Sequence, residues 1–186
     1  MTAVNLTKTS KFLSLVLRHE PEAIGLSLDG NGWADLDELV RLANADGKPV
    51  THALIEQVVR DSDKQRFAIS ADGTRIRANQ GHSVEVDLAL TALAPPAVLY
   101  HGTATRFAKS IRNLGLLKQN RQHVHLSSDA DTAIKVGSRH GKALVLSIRA
   151  GEMHARGLSF FRSENGVWLT DAVAPEFIDW PQQDGT

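Results

Sequence analysis

The 186-residue chain contains no cysteine. That excludes a disulfide framework, a thiolate zinc site, an iron–sulfur cluster and a cysteine nucleophile. Net charge is lacking too, with 21 Lys plus Arg against 21 Asp plus Glu. The usual footprint of a nucleic-acid binder is a basic surplus, so this balance argues at first sight against such a partner. No run approaches the roughly 18 consecutive apolar residues of a membrane span. The opening Met1-Thr-Ala-Val-Asn-Leu-Thr-Lys8 carries no apolar run after its first basic residue, unlike a signal peptide. A soluble, cytoplasmic protein without a membrane partner is the expectation. What is present is a 42% apolar fraction, enough for a real core in one large domain or two small ones.

The chain reads as two halves, 1–94 and 95–186. Pro95-Pro96 can neither continue a helix nor join a central ladder, and the pair favours an extended connector. Charge divides there as well. The first half holds 10 basic and 13 acidic residues and the second 11 and 8, so −3 and +3 cancel. In the first half Phe12, Leu13, Val16 and Leu17 fall at helical spacing after Thr9-Ser10, which predicts a helix capped there and ending near His19, ahead of Pro21. Asp35-Leu-Asp-Glu38 reads as an acidic capping box and Thr51 as the cap of a third helix. The period then changes to strand, turn and strand over 66–77, with Asp72-Gly73 as the turn. Three helices and a hairpin are the order of a winged helix-turn-helix module. The second half is mostly short strands, at 98–100, 123–126, 143–148, 167–170 and more weakly 177–180. Helices are expected near 106–114, ended by Gly115, and near 129–136. The fold class is therefore α+β. Neither GxGxxG after a strand nor GxxxxGK[ST] occurs, so a Rossmann site and a P-loop are unsupported.

Arg18-His19 closes the first predicted helix. As cations at a helix C-terminus they complement the macrodipole; as a pair they also make a fork for an oxyanion beside a group that moves protons near neutral pH. Lys64 and Arg66 enter the hairpin, and Arg75 and Arg77 share one face of its second strand, either as a solvated face or as a ligand surface. The following 78–83, with Asn79, Gln80, His82 and Ser83, is dense in donors, as binding loops are. In the second half His101-Gly-Thr103 is expected to close the first strand, His123 and His125 share a strand face, and Arg139-His140 sits in a glycine-flanked turn. Metal ligation by these histidines is one reading; with no carboxylate close in sequence, hydrogen bonding to a polar ligand is the simpler one. Paired carboxylates and a nucleophile elbow are missing from these motifs. Arg, His, Asn, Ser and backbone suit the binding of phosphate.

The residues resemble the RNA 2′-phosphotransferase (KptA) family. The blocks in order are Arg18-His19-x-Pro21, Gly32-Trp33, Lys64-Gln-Arg-Phe67, Ile76-Arg-Ala-Asn-Gln-Gly-His-Ser83, His101-Gly-Thr103, Arg121-Gln-His-Val-His-Leu-Ser127, Val136-Gly-Ser-Arg-His-Gly141 and Ser163-Glu-Asn-Gly-Val-Trp-Leu-Thr170. The resemblance runs from about residue 8 to 180. It implies a winged-helix RNA lobe followed by an ADP-ribosyltransferase-like lobe that takes NAD⁺ as co-substrate, with no metal. The RNA 2′-phosphate attacks the nicotinamide ribose to give an RNA-2′-phospho-ADP-ribose intermediate and nicotinamide. O2″ then attacks phosphorus, releasing RNA with a free 2′-hydroxyl and ADP-ribose 1″,2″-cyclic phosphate. The implied catalytic set is Arg18, His19, Arg66 and Arg121. His101, Gly102, Thr103, His125, Ser127, Arg139, His140, Asn165 and Val167 are implied for NAD⁺. Lys64, Arg77, Asn79, Gln80, His82 and Ser83 are implied for RNA carrying the 2′-phosphate.

Three guanidiniums supply permanently charged planar donors, so positioning and electrostatic stabilisation can carry both steps. His19 is then the proton carrier to the leaving 2′-oxygen. Val167 stands where many ADP-ribosyltransferases place a glutamate, which leaves O2″ available to an acceptor-borne phosphate. Two rivals use the same residues differently: an ADP-ribosyltransferase that caps phosphorylated nucleic-acid ends, and a winged-helix regulator without catalysis. No obligate protein partner is indicated.

Overall fold

The computed structural model describes residues 3–182 as two compact units, one up to Ala89 and the other from Leu90. In the first, helix α1 (Ala3–Arg18) is followed by a 3-10 turn (Pro21–Ile24), strand β1 (Ala34–Asp35), helices α2 (Leu36–Ala45) and α3 (His52–Arg60), and strands β2 (Phe67–Ile69) and β3 (Arg75–Ala78). The strands form one antiparallel sheet in the order β1-β3-β2. Leu13, Val16 and Leu17 of α1, Leu36 and Leu39 of α2, Ile55 of α3 and Ile76 of β3 are fully buried in its core. Burying each such side chain is worth roughly 1.5–3 kcal/mol.

The expected caps of α2 and α3 are in place: Asp35 accepts from the Glu38 N–H at 2.8 Å, and Thr51 from the Leu54 N–H at 3.2 Å. The Asp72-Gly73 turn is also as expected, with Gly73 at φ 73°. The start of α1 is not. It begins at Ala3, and Thr9 is buried within it. The apolar stripe runs back a further turn through Thr9 to Leu6, so the threonine occupies a core position instead of a cap.

The second unit contains β4 (Leu99–Ala104), a 3-10 turn, α4 (Ala108–Leu114), β5 (Leu116–Leu117), β6 (Val124–Leu126), α5 (Ala130–Gly137), a 3-10 turn (Ser138–His140), β7 (Ala143–Ile148), α6 (Ala150–Ala155), β8 (Phe161–Arg162), β9 (Trp168–Thr170), β10 (Ala172–Val173), a further 3-10 turn and β11 (Ile178–Asp179). Two three-stranded antiparallel sheets, β11-β7-β4 and β6-β9-β8, join where Tyr100 and Ser127 exchange backbone hydrogen bonds of 2.8 Å. Leu99, Leu126, Leu146, Ile148, Met153 and Phe160 fill its core. The Pro95-Pro96 segment is strapped to this unit, because the Leu93 N–H donates to the Phe160 carbonyl and the Gly151 N–H to that of Ala97. Mixed small antiparallel sheets and helices make the chain α+β.

His101-Gly-Thr103 lies inside β4, where sequence predicts a strand end, because all three pair with β7, opposite Leu146, Val145 and Leu144. Helix α5 packs on that segment. A Cβ on Gly102 would overlap the Ala133 carbonyl, and one on Gly137 the Thr103 carbonyl. Glycine is therefore required at residue 102 by a close helix–strand approach.

Gly102→Ala is accordingly expected to cost about 3 kcal/mol, at the upper end of overpacking. Gly30→Ala, where an added Cβ meets nothing within 4 Å, is expected to stay within about 0.5 kcal/mol. Urea unfolding of both variants checks the contrast, and equal losses would contradict it.

Candidate functional site

In the first unit the end of α1 meets a segment 65 residues later. The Arg18 carbonyl, left without a helical donor, accepts from the Ser83 N–H at 2.8 Å and the Val84 N–H at 3.2 Å. This brings 79–84 onto Arg18-His19. The half-buried Arg18 side chain lies over the Phe67 ring at 5.7 Å and donates from Nη2 to Gln80 Oε1 at 3.4 Å and to the Arg66 carbonyl at 3.5 Å. Exposed His19 holds Ser83 Oγ at 2.9 Å through Nδ1. That hydroxyl donates to the Arg18 carbonyl at 3.4 Å, so it accepts from the imidazole Nδ1–H. Nε2 is then the end able to exchange a proton with a ligand.

Arg66 is aimed by a clamp. Asn79 is buried; its N–H donates to the Arg66 carbonyl at 2.9 Å and its Nδ2 to the Gln65 carbonyl at 2.6 Å. Between them Gln65 has φ 40°, a left-handed backbone that a residue with a Cβ adopts at a cost of about 1–3 kcal/mol. Lys64 is exposed on the same turn. Arg77 and Arg75 lie over the Trp33 ring at 4.6 and 5.4 Å, so the predicted shared face is a cation–aromatic stack. Trp33 was visible in sequence only through its Gly-Trp motif.

His82 of the same loop is buried, 1% exposed, so its imidazole faces the interior while Gln80 and Ser83 meet Arg18 and His19. Both ring nitrogens are buried without a hydrogen-bond partner, and a Cβ on Gly32 would come within 3.4 Å of Nε2. Burial foremost, then Arg18, His19 and Arg77, pushes its pKa down to about 4. The ring is neutral at pH 7, and so adds no positive charge among these cations.

In the second unit His101 donates from Nδ1 to the His125 carbonyl at 3.0 Å. Burial first, and the Arg121 cation after it, lower its pKa, against the raising effect of that hydrogen bond. The neutral ring presents Nε2 as an acceptor. Exposed Arg121 donates from Nη1 to His125 Nδ1 at 3.3 Å, so the proton of a neutral His125 ring sits on Nε2. One imidazole offers an acceptor and the other a donor, the pairing that a ribose diol needs. Ser127 follows on β6, Thr103 is buried in β4, and the contact of Gly137 with Thr103 sets the exposed Arg139 and His140 beside the end of β4. Asn165 and Val167 are half-buried in the β8–β9 turn, where the Asn165 carboxamide and the Val167 backbone meet Ser163. Among the described residues no group of three or more His, Asp or Glu is arranged to hold a metal, and no helix is long and apolar enough to cross a membrane.

Residues 5–172 match the model of the family described as RNA 2′-phosphotransferase, Tpt1 / KptA. The chain is also 54% identical over 176 residues to the RNA 2′-phosphotransferase of Escherichia coli strain K12, covering 94% of this chain and 96% of that protein. Identity and coverage are the same for the probable RNA 2′-phosphotransferases of Escherichia coli O6:K15:H31 and Shigella boydii serotype 18. The chain belongs to the RNA 2′-phosphotransferase family.

Two outcomes are expected of this family member's first unit. The unfolded His82 ring titrates near 6.5 and the folded one near 4. Neutral His82 therefore contributes stability that is complete above about pH 6.5 and is lost as pH falls towards 4, on the order of 3 kcal/mol in all. Urea midpoints from pH 7.5 to pH 4 should fall steeply for the wild type and less for His82→Gln; parallel curves would exclude this origin. A double-mutant cycle examines the clamp. Asn79→Ala should cost about 2 kcal/mol with Gln65 present and clearly less alongside Gln65→Gly, whose backbone holds φ 40° unaided. A coupling energy below about 0.5 kcal/mol would mean that Asn79 does not support the strained turn.

Proposed function

We propose that this chain is an NAD⁺-dependent RNA 2′-phosphotransferase. The first unit is read as a winged-helix RNA lobe and the second as an ADP-ribosyltransferase-like lobe, in a cytoplasmic enzyme acting on RNA with an internal 2′-phosphate, such as that left at a tRNA splice junction. The gathering of Arg18, His19 and the Arg66 backbone around one loop carries the reading: a guanidinium and an imidazole meet the strand entry that bears a second guanidinium.

In this reading Arg18 and Arg66 grip the 2′-phosphate oxygens and hold them for in-line attack. The Phe67 ring and Gln80 orient the Arg18 guanidinium, and the clamp on Gln65-Arg66 holds the backbone from which the second cation projects, which limits reorganisation as charge builds. Arg121 is the fourth member of the set. The neutral His101 ring and the His125 ring suit ribose hydroxyls and Arg139 suits a pyrophosphate, so the donor set of the second unit fits a dinucleotide. NAD⁺ supplies an electrophilic ribose carbon with nicotinamide as leaving group, which makes RNA-2′-phospho-ADP-ribose the intermediate and ADP-ribose 1″,2″-cyclic phosphate the product beside 2′-OH RNA. In the second step O2″ loses its proton as it attacks phosphorus, and His19 in its doubly protonated form gives the Nε2 proton to the departing RNA 2′-oxygen, with Ser83 keeping the ring turned for it.

Incubation with NAD⁺ and a 2′-phosphorylated oligoribonucleotide should yield 2′-OH RNA, nicotinamide and the cyclic phosphate. A persistent RNA–ADP-ribose conjugate would instead indicate end capping, and binding without nicotinamide release a regulator. His19→Ala should accumulate the intermediate, slowing its breakdown about 10²–10⁴-fold, the usual worth of a general acid. Breakdown at the wild-type rate would remove the proton-carrier role.

A further inference from the structure

His82 is a buried imidazole for which the chemistry has no direct use. Both of its ring nitrogens are buried without a hydrogen-bond partner, an arrangement that costs stability and that an apolar side chain would avoid. What it packs against is the Gly32-Trp33 block, a motif that also has no part in the reaction. Residues 29–33 are tied to the chain that follows His82. The Asp87 N–H donates to the Gly30 carbonyl at 2.7 Å, and Asn31 Nδ2 donates to the Asp87 carbonyl at 2.5 Å. Gly32, at φ 81°, leaves the room that the ring occupies: a Cβ there would lie 3.4 Å from His82 Nε2 and 3.5 Å from Val86 Cγ1.

The groups acting on the charge of this ring are Arg18 and His19 from the end of α1 and Arg77 from β3. The acids of the adjoining segments are engaged elsewhere. Asp29 accepts from the Asn31 and Trp33 N–H groups and pairs with Arg75 at 3.5 Å, Asp87 accepts from the Ala89 N–H, and Glu85 is exposed. Among the described residues a proton on seated His82 thus meets cations and no acceptor, and the ring takes one up only by moving towards water. Its chain neighbour is Ser83. The Ser83 and Val84 N–H groups hold the Arg18 carbonyl, Ser83 Oγ holds the His19 ring, and Gln80 holds the Arg18 guanidinium. A ring that leaves its seat draws on all of these contacts.

We propose that His82 is a positioning residue for His19: seated neutral against Gly32, it keeps Ser83 on the His19 ring, and its protonation releases residues 79–84 from Arg18-His19 while the rest of the first unit stays folded. The release itself is independent of the phosphotransferase reading. Its effect on the second chemical step, through His19, rests on that reading.

Native-state hydrogen exchange tests the release. A ring freed to water titrates near 6.5 and the seated one at about 4, so local opening becomes roughly sevenfold more frequent between pH 6 and pH 5. The Ser83 and Val84 amides, corrected for intrinsic exchange, should lose that much protection in the wild type and less than twofold in His82→Gln. They should also be at least tenfold less protected than the Ile55 amide of α3, as a local opening requires. His82→Leu, equally unable to take a proton, should behave as His82→Gln does. Protection that does not change with pH in the wild type, or that equals that of Ile55, overturns the proposal. For the catalytic consequence, the isolated RNA-2′-phospho-ADP-ribose intermediate is mixed with each protein, and rates are taken per folded molecule by circular dichroism. Breakdown should fall at least threefold more in the wild type than in His82→Gln between pH 6 and pH 4.5, and parallel falls overturn the link to His19. If no variant and no pH gives breakdown, the phosphotransferase reading fails, while the exchange data still decide the loop release.

Discussion

The first unit depends on one acceptor, the carbonyl of Arg18. Pro21 prevents α1 from continuing, so the last-turn carbonyls need donors from elsewhere. Ser83 and Val84 supply them across more than sixty residues of chain. That closure draws Gln80 to the Arg18 guanidinium and Ser83 to the His19 ring, and it sets Asn79 to hold the backbone on either side of Arg66. Arg18, His19 and Arg66, from the end of the N-terminal helix and the entry to the hairpin, thus share one support. The strained Gln65 belongs to the same economy: an unfavourable φ persists where buried contacts over-determine it.

The second unit solves a different problem by close packing. Helix α5 approaches β4 so nearly that Gly102 and Gly137 leave no room for a Cβ, and β4 in turn carries His101 into contact with the strand of His125. Both imidazole directions follow from fixed neighbours, a carbonyl on one ring and a guanidinium on the other. In both units, then, the chain sets the proton positions of its histidines before any ligand arrives.

Sequence pattern revealed the elements whose signal is local. Asp35 and Thr51 cap where they were expected to, and the mostly apolar run of 143–148 is β7. Two-residue strands such as β5, β8 and β10 carry no period to read, and α6 has no side-chain cap to announce it. Thr9 misled because a good capping residue also fits a helix interior when the apolar stripe continues behind it. At the site, Arg18, His19 and Arg66 were legible as types and spacing. The buried placement of His82 and Asn79 was not, because a donor-rich loop looks alike whether its polar atoms face solvent or turn inward to hold backbone. Gln65 could not have been picked out, since glutamine gives no hint of a left-handed φ.

The zero net charge says nothing of how individual cations are held. In the second unit Arg149 and Arg156 are paired with Glu152, Asp179 and Glu176, and such pairs cancel in the surface field. Arg18 is oriented by a carbonyl, an amide and an aromatic ring, Arg77 by the Trp33 face, and Arg121 by an imidazole nitrogen. Neutral partners give a guanidinium a direction without cancelling its charge. A neutral His82 beneath Arg18, His19 and Arg77 serves the same end, since a protonated ring there would add repulsion among the groups that must crowd together. Whole-chain charge is therefore a poor guide to what this surface attracts. What matters is which neighbours set each guanidinium, since a direction fixed by a carbonyl, an amide or an aromatic ring makes the local field depend on arrangement and not on the total.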